Sequence, residues 1–483
     1  MESIKNLAPK EVFSIFDQIT KIPRPSKHEE QFRAFLIQWA ADNKLALKED
    51  AKGNIVIRKA ATKGYENQGT IVLQSHMDMV CEKEATSKHD FMKDPIDTYL
   101  DQGWLKARGT TLGADCGIGM ALQMAVLKAT NIAHPAIEAL FTVDEEQGLT
   151  GAMNLGLDML TGKRMINLDS EEQGQIYIGC AGGVDTIATF ELRVEKAPVG
   201  LTYYALSIDG LTGGHSGDDI EKGFASANKI LARMLWEFLA HKGVVIARLS
   251  GGNLRNAIAR EASAVIGVPS ELCDTIKAQF ADLTRDITSE FSITEPTMCF
   301  SLTPAQSEAQ IIEPSLSFRV VAALLGVAHG VQSMSHKIEG LVETSTNLAS
   351  IRMTESSIVV VTSQRSSVES AKHAIASMVE SVFSLAGARV DHTDEYPGWE
   401  PNMSSPLLRV ASRLYEQMYG ESAQVKAIHA GLECGLFLTY YRDMDMISIG
   451  PTLRGVHSPS ERLEVRTVGM VWDYLLALLS AGV

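Results

Sequence analysis

Ile71-Val72-Leu73-Gln74-Ser75 runs directly into His76-Met77-Asp78. An apolar, β-branched run of strand length therefore ends on a histidine and an acid. The arrangement recurs along the chain. Ala139-Leu140-Phe141-Thr142-Val143 runs into Asp144-Glu145-Glu146, and Met165-Ile166-Asn167-Leu168 into Asp169-Ser170-Glu171-Glu172. Ile447-Ser448-Ile449 leads through Gly450-Pro451 to His457. Ligands of open α/β sheets bind beyond the carboxyl ends of the strands. If these strands are parallel neighbours, their acids and histidines converge on one site. Taken singly, each cluster is ordinary: His-x-Asp is usually a loop, Asp-Glu-Glu before a glycine a solvated turn, and Asp169-Ser170 a helix N-cap. Recurrence after buried strand cores is what carries the reading.

Working outward, helices and strands alternate. Ala8-Pro9-Lys10-Glu11 starts a helix through Phe13, Phe16 and Ile19, and Pro23 and Pro25 break the chain after it. A second amphipathic helix spans 28–41, a strand 54–57, and a mostly apolar helix interior 120–129. This is the βαβ rhythm of a sheet with helices on both faces. Near residue 186 the character changes, since 186–194 alternates apolar and polar residues as a half-exposed strand does. A strand at 203–208, a long helix from about 219 to 241, and strands at 244–249 and 257–268 come next. A strand at 318–322, a helix at 331–342, a hairpin of 350–353 with 358–363 and a helix at 368–385 complete the segment. Two related halves are suggested, without enough identity for a repeat. Trp399 and Pro401 mark the return to helix 407–419, strand 446–449 and helix 467–479. The expected fold is α/β. A discontinuous catalytic domain (1–185 and 397–483) has a mixed central sheet flanked by helices, and 186–396 is an inserted α+β lid domain.

Composition bounds the function. The chain has 483 residues, 45% hydrophobic and 21% charged, which is ordinary globular usage. A formal net charge of −15 repels nucleic acid and anionic membrane at long range. No apolar run approaches the ~20 residues that span a bilayer, and the first residues do not read as a secretory signal. Six scattered cysteines with no C-x-x-C pair point to free thiols in a reducing compartment, so a cytoplasmic location is expected.

Convergent carboxylates within ~4–6 Å repel and raise one another's pKa, and a divalent cation removes that cost. Mixed His/Asp/Glu ligation without Cys suits zinc, with manganese or cobalt as substitutes. The spacing of His76 and Asp78 puts both side chains on one face of an extended segment, so Asp78 can orient the His76 ring. Adjacent Glu145 and Glu146 must point differently, so one can ligate while the other transfers protons. Segment 110–119 (TTLGADCGIG) opens the helix near Met120; its Asp115 disfavours an anion and fits a cation. No Gly-Lys-Ser/Thr comes after it, and the chain contains neither H-E-x-x-H nor G-x-S-x-G.

Ser75-His76-Met77-Asp78, Gly113-Ala114-Asp115, Asp144-Glu145-Glu146, Asn167-Leu168-Asp169-Ser170-Glu171 and His457 together resemble the two-zinc exopeptidases that include aminoacylases and carboxypeptidase G. Gly179-Cys180-Ala181-Gly182-Gly183, Gly213-Gly214-His215-Ser216-Gly217 and His429-Ala430-Gly431-Leu432-Glu433-Cys434-Gly435 resemble, more narrowly, the aminoacyl-histidine or cytosolic non-specific dipeptidases. The resemblance covers nearly the whole chain. It implies two divalent ions, zinc first. His76, Asp115 and Asp169 hold one, Asp115, Glu146 and His457 the other, with Asp115 bridging. It further implies that Asp78 supports His76. Glu145 is the general base toward a metal-bridging water and later protonates the leaving amine. His215 stabilises the tetrahedral oxyanion. Asn256 and Arg365 contact substrate, Arg365 through the free carboxylate, and Gly435 supplies a backbone contact. The implied reaction is hydrolysis of unblocked dipeptides, including Xaa-His types such as β-alanyl-histidine. An N-acyl-amino-acid amidohydrolase, a tripeptidase and a non-catalytic binding relative are the alternatives. Small peptides are the expected partners, without nucleic acid or membrane. Homodimer and monomer both stay open, because a doubled lid could replace the partner subunit that relatives with a smaller lid recruit. One departure stands out: the usual residue after the bridging Asp is Asn or Asp, and here it is Cys116. Relatives carry a cis peptide bond at that point.

Overall fold

The structure is a computed structural model that describes residues 4–482. It begins with helices α1 (Lys10–Ile19) and α2 (Glu30–Asp42) and the hairpin β1 (Ala46–Glu49) and β2 (Ile55–Lys59). Strand β3 (Ile71–His76), helix α3 (Ala114–Lys128), and strands β4 (Ile137–Thr142), β5 (Arg164–Asn167) and β6 (Gln175–Cys180) come next. A second unit then intervenes. It comprises β7 (Gly182–Glu191), β8 (Leu201–Asp209), α4 (Ala227–Leu239), β9 (Val245–Gly251), β10 (Ala262–Pro269), α5 (Cys273–Glu290) and β11 (Cys299–Pro304). It continues with α6 (Pro314–Gly326), β12 (Val342–Met353), β13 (Ser357–Ser366), α7 (Glu369–Leu385) and β14 (Arg389–Tyr396). The chain closes with α8 (Pro406–Tyr419), β15 (Gln424–Ile428), α9 (Glu433–Tyr440), β16 (Asp445–Ser448) and α10 (Val465–Ser480). One unit holds the residues up to 179, 401–427 and those from 432 onward; the other holds 180–400 and 428–431.

The first unit is built on an eight-stranded sheet in the order β1-β2-β4-β3-β5-β16-β6-β15. Its centre, β4-β3-β5-β16, is parallel throughout, whereas β1 and β2 pair antiparallel with their neighbours and β6 is antiparallel to β16. Every residue of β3 and β4 is buried, as a strand covered by helices on both faces requires. A row of polar side chains crosses this apolar centre. Asn167 Nδ2 donates to Gln74 Oε1 at 2.5 Å, Ser448 Oγ donates to Asn167 Oδ1, and Gln74 Nε2 donates to Thr142 Oγ1 at 3.2 Å. A separate four-stranded sheet joins Thr98–Asp101, Trp104–Ala107, Leu453–Arg454 and Arg462–Glu464.

The second unit contains two βαββαβ halves. One is β8-α4-β9-β10-α5-β11, inserted into the other, β7-α6-β12-β13-α7-β14. The sheet order is β11-β8-β10-β9-β12-β13-β7-β14, so each half lies 4-1-3-2 outward from its fourth strand. The halves meet through their second strands, at the pair Gly251 and Ile351. Phe190, Phe238, Ile266, Val360 and Phe383 are among the buried residues of the core shared by both halves.

Four expectations change. Residues 318–322 are helical, within α6: Pro314 occupies its first turn, and Leu316, Val320, Ala323 and Leu324 form one buried stripe at helical spacing, leaving Phe318 exposed. Residues 331–342 are not a helix. Gly330–Met334 is a strand paired antiparallel with the start of β12, and Gly340 takes a left-handed φ of 75° in the turn between. The helix expected over 219–241 is confined to Ala227–Leu239, after Gly223 turns the chain at φ 73°. The strand expected from 257 starts at Ala262.

Gly450, just past β16, is a tight point of this architecture. A Cβ there would overlap the Ser170 carbonyl oxygen, and the adjacent Ser448 and Ser170 hydroxyls already meet at 2.6 Å. Gly450→Ala should therefore destabilise the protein by about 3 kcal/mol, read as a lowered urea midpoint.

Candidate metal centre

The parallel strands end at one edge and deliver their polar residues there. β3 ends on His76. β4 continues into Asp144, which adopts a left-handed φ of 50° before the one-turn helix Glu145–Gly148. That reversal aims two successive N–H groups at Asp78: Glu145 N donates to Oδ1 at 3.0 Å and Glu146 N to Oδ2 at 3.1 Å. Ser26 Oγ donates to Oδ2 at 2.7 Å, and Oδ1 lies 3.4 Å from His76 Nδ1. One buried carboxylate thus orients a histidine and both glutamates.

His76 Nε2 faces Asp115 Oδ1 at 3.1 Å and Asp169 Oδ1 at 3.2 Å. His457 Nε2 faces Asp115 Oδ2 at 3.1 Å and Glu146 Oε2 at 3.0 Å. Asp115 therefore turns one oxygen to each histidine. Glu145 lies in a cluster with His76 and Glu146 whose ligating atoms are all within 4.8 Å of one another. Glu146 also reaches His457.

The charges explain one another. Burial disfavours protonated His76, yet Asp169, Asp115 and Asp78 hold it well above the ordinary imidazole range. Hydrogen bonds to Asp115 and Glu146 push His457 up to about 11. Burial works against ionised Asp115, but the two histidines keep its carboxyl below the usual range. Burial raises Glu145 well above 4.5, helped by Glu146, Asp169 and Glu433. Burial and Asp115 raise Glu146 to about 7 and Glu171 to about 8. Carboxylates that pull protons onto both rings demand more positive charge than the side chains supply.

Two divalent ions fit that demand. Asp115, Glu146 and His457 offer ligand atoms within 4.8 Å of one another, compatible with the ~3.4 Å between tetrahedral ligands ~2.1 Å from zinc. Glu146 Oε1 is buried with no hydrogen-bond partner. On the other side, His76 Nε2 meets an oxygen of Asp115 and an oxygen of Asp169, and the Cys116 thiol also lies within 4.8 Å of ligating atoms of His76 and Asp169. Cys116 is buried, follows a cis peptide bond, and donates from Sγ to Leu168 O at 3.4 Å.

Sequence reasoning missed several supports. Glu461 accepts hydrogen bonds from four successive backbone N–H groups, 112 to 115. Buried Arg24 donates to the carbonyls of Met77, Asp78 and Gly113. Buried Glu433 accepts from Gln74 at 2.6 Å and Thr142 at 2.8 Å. Of these, only Glu433 lies within one of the sequence motifs, 429–435, and nothing there gave it a role.

The remaining candidates divide between the units. Gly435 lies buried in the first turn of α9, in the first unit. His215, Asn256 and Arg365 belong to the second. His215 Nδ1 accepts from Gly217 N at 3.3 Å and Asp218 N at 3.2 Å, which leaves Nε2 free of this turn. Asn256 O accepts from Ser216 N at 2.8 Å, and both His215 and Asn256 line a groove of about 720 Å³. Arg365 is 7% exposed, donates from Nη1 to Tyr396 Oη at 2.9 Å, and keeps Nε unpartnered.

Comparison with known proteins identifies a family for the chain. Residues 72–481 match the model of peptidase family M20/M25/M40. The chain is 40% identical over 480 residues to the cytosol non-specific dipeptidase of Escherichia coli strain K12, covering 99% of each. The crystal structure of aminoacylhistidine dipeptidase from Vibrio alginolyticus superposes with a TM-score of 0.92 at 40% identity, over 99% of this chain and 98% of that one. Human carnosine dipeptidase 1 shares the fold, with a TM-score of 0.51 at 12% identity over 98% and 96% of the two chains.

Metal counting tests the shared carboxylate. Asp115→Ala should bind neither ion, whereas His457→Ala should keep one. Elemental analysis of purified protein gives both ratios.

Proposed function

This chain belongs to peptidase family M20/M25/M40, and on that premise we propose that it is a metal-dependent dipeptidase whose two ions are held by the strand-end cluster. The observation that carries the reading is Asp115, which offers one oxygen to the His76 group and the other to the His457 group. His76, Asp115 and Asp169 hold one ion; Asp115, Glu146 and His457 hold the other. Zinc is the preferred metal, given a donor set of imidazole and carboxylate. When bound, the pair supplies positive charge that acidifies water and polarises a carbonyl oxygen.

The chain's own groups do the rest. Asp78 fixes the backbone of Glu145 and Glu146 and the ring of His76 together, so the base and two ligands share one reference point. Glu145 takes a proton from the attacking water as the new C–O bond forms. It returns that proton to the amine nitrogen as the C–N bond breaks. A carboxyl that burial raises well above 4.5 is suited to both halves of that cycle near neutral pH. His215 donates to the tetrahedral oxyanion. The buried Arg365 guanidinium pairs with the free carboxylate of the substrate, Asn256 contacts the substrate beside it, and Gly435 offers a backbone contact. Substrates are therefore short peptides with a free C-terminus, Xaa-His dipeptides such as β-alanyl-histidine among them. The protein works in the cytoplasm, as a homodimer or as a single chain with its doubled inserted unit.

Glu145→Gln should retain both ions yet lose turnover by ~10²–10⁴-fold. Normal turnover in that variant removes the assignment. Arg365→Ala should raise KM for free dipeptides while leaving the already weak hydrolysis of C-terminally amidated ones unchanged. A panel of free dipeptides, N-acetyl amino acids and tripeptides, assayed with and without chelator and added zinc, separates a dipeptidase from an amidohydrolase or tripeptidase.

A further inference from the structure

We propose that Glu461 is a positioning residue of the metal centre, fixing the backbone that carries Asp115 to the loop that carries His457. Its side chain is buried, and both carboxylate oxygens are fully employed. Oε2 accepts from Leu112 N at 2.7 Å and Gly113 N at 2.9 Å; Oε1 accepts from Ala114 N at 2.8 Å and Asp115 N at 3.3 Å. The last donor is the amide of the residue that faces both histidines.

This is more than the capping of a helix. Asp115 and Cys116 have non-helical backbone angles, so regular helix begins only after them. The four N–H groups line a preceding segment whose fold sets the direction of the Asp115 side chain. Gly113 takes a left-handed φ of 68° there, and a Cβ at that point would run into Arg24 and Met79. The carbonyl side of the segment is held as firmly. Arg24 Nη2 donates to Gly113 O, while Nη1 donates to Met77 O at 3.0 Å and Asp78 O at 2.6 Å. Segment 112–115 is thus clamped between Glu461 on its N–H side and Arg24 on its carbonyl side, and Arg24 continues the clamp to the end of β3.

The other end of the device explains a second feature. His457 sits in a loop, with φ 59° and a side chain 51% exposed, a poor situation for a ligand that must hold its place. The loop is short and internally bonded: Glu461 N donates to Ser458 O at 3.0 Å, and Ser458 Oγ donates to Gly455 O at 2.7 Å. Just beyond it, Arg462–Glu464 pairs with Trp104–Ala107. Anchoring Glu461 in the Asp115 segment therefore locks the His457 loop to the residue that His457 must face. Three of the ligand-bearing segments are joined by these two side chains.

The inference rests on the two-ion reading above, and its test separates the two. Glu461→Gln preserves size but offers one acceptor oxygen and sets an NH₂ against two backbone N–H groups. Zinc affinity is measured by competition with a chromogenic chelator, beside kcat, KM and the melting temperature of the demetallated protein. The expected result is a ~10–100-fold weaker affinity for at least one ion. A fall in kcat should accompany it, with KM and the metal-free melting temperature nearly unchanged. Unchanged zinc affinities overturn the proposal. So does a melting loss in the metal-free protein large enough to account for the weaker binding, since that marks Glu461 as a cap of the fold only. If the Gln variant is recovered unfolded, Glu461→Asp, which keeps both oxygens on a shorter arm, decides by the same criteria. Wild-type protein that binds no zinc removes the two-ion reading itself; wild type and variant that bind two ions equally remove only the role of Glu461.

Discussion

A single carboxylate that two imidazoles approach at 3.1 Å from opposite oxygens is the constraint around which the first unit is organised. Asp115 can serve both sides only if its two neighbours come from separate segments, one on each flank. His76 comes from the end of β3 and His457 from the loop beyond β16. Asp169 and Glu146, also strand-end residues, complete the two groups. Parallel strands suit this purpose because they all end at one edge. The cost is a concentration of negative charge in a desolvated place. Side chains alone meet it only by drawing protons onto both histidines, the response that a pair of divalent ions replaces.

Holding those ends level is the task of the polar row beneath them. Gln74 lies two residues before His76 on the same face of β3, and Asn167, the last residue of β5, accepts at Oδ1 from Asp169 N at 3.2 Å. Gln74 is in register with Asn167, and Asn167 with Ser448, and the three side chains are hydrogen-bonded in that order. A one-residue slip of any strand would leave these buried groups unpaired and move its ligand to the wrong face. The row therefore sets the register that aligns the ligands. Glu433 closes it at the other end by accepting from Gln74 and Thr142, and burial raises its carboxyl to about 8.

These relations decide what could be read in advance. Strand ends were legible because four buried apolar runs each gave way to acids or a histidine, and that pattern is local. The second group of supports is not local. Glu461 acts on amides more than three hundred residues earlier, and Arg24 on carbonyls of two distant loops; neither belongs to a hydrophobic period or a turn motif. Residues 318–322 misled for a different reason. A short apolar run fits a buried strand and a helix interior equally, and only the packing of Leu316, Val320 and Leu324 together on one face selects the helix. Likewise, 331–342 has the length of a helix, but the pairing that makes Gly330–Met334 a strand lies in β12.

The doubled architecture of the second unit is a packing fact of the same non-local kind. His215 and Asn256 come from the inserted half, Arg365 from the half that surrounds it. In a sheet where the halves touch through one strand pair, such residues would be free to shift against one another. Side chains prevent it. Asn347 of β12 donates from Nδ2 to Ala257 O at 2.8 Å, and Ala257 is the bridge partner of His215. Arg255, next to Asn256, pairs across the halves with Asp394 at 2.8 Å and Asp185 at 3.3 Å. The bond of buried Asn347 is the stronger tie, since Arg255 is itself 57% exposed and its ion pairs are screened by solvent. One polar side chain on the central strand thereby couples the turn that carries His215 to the same strand whose Ser345 lies in register with Arg365.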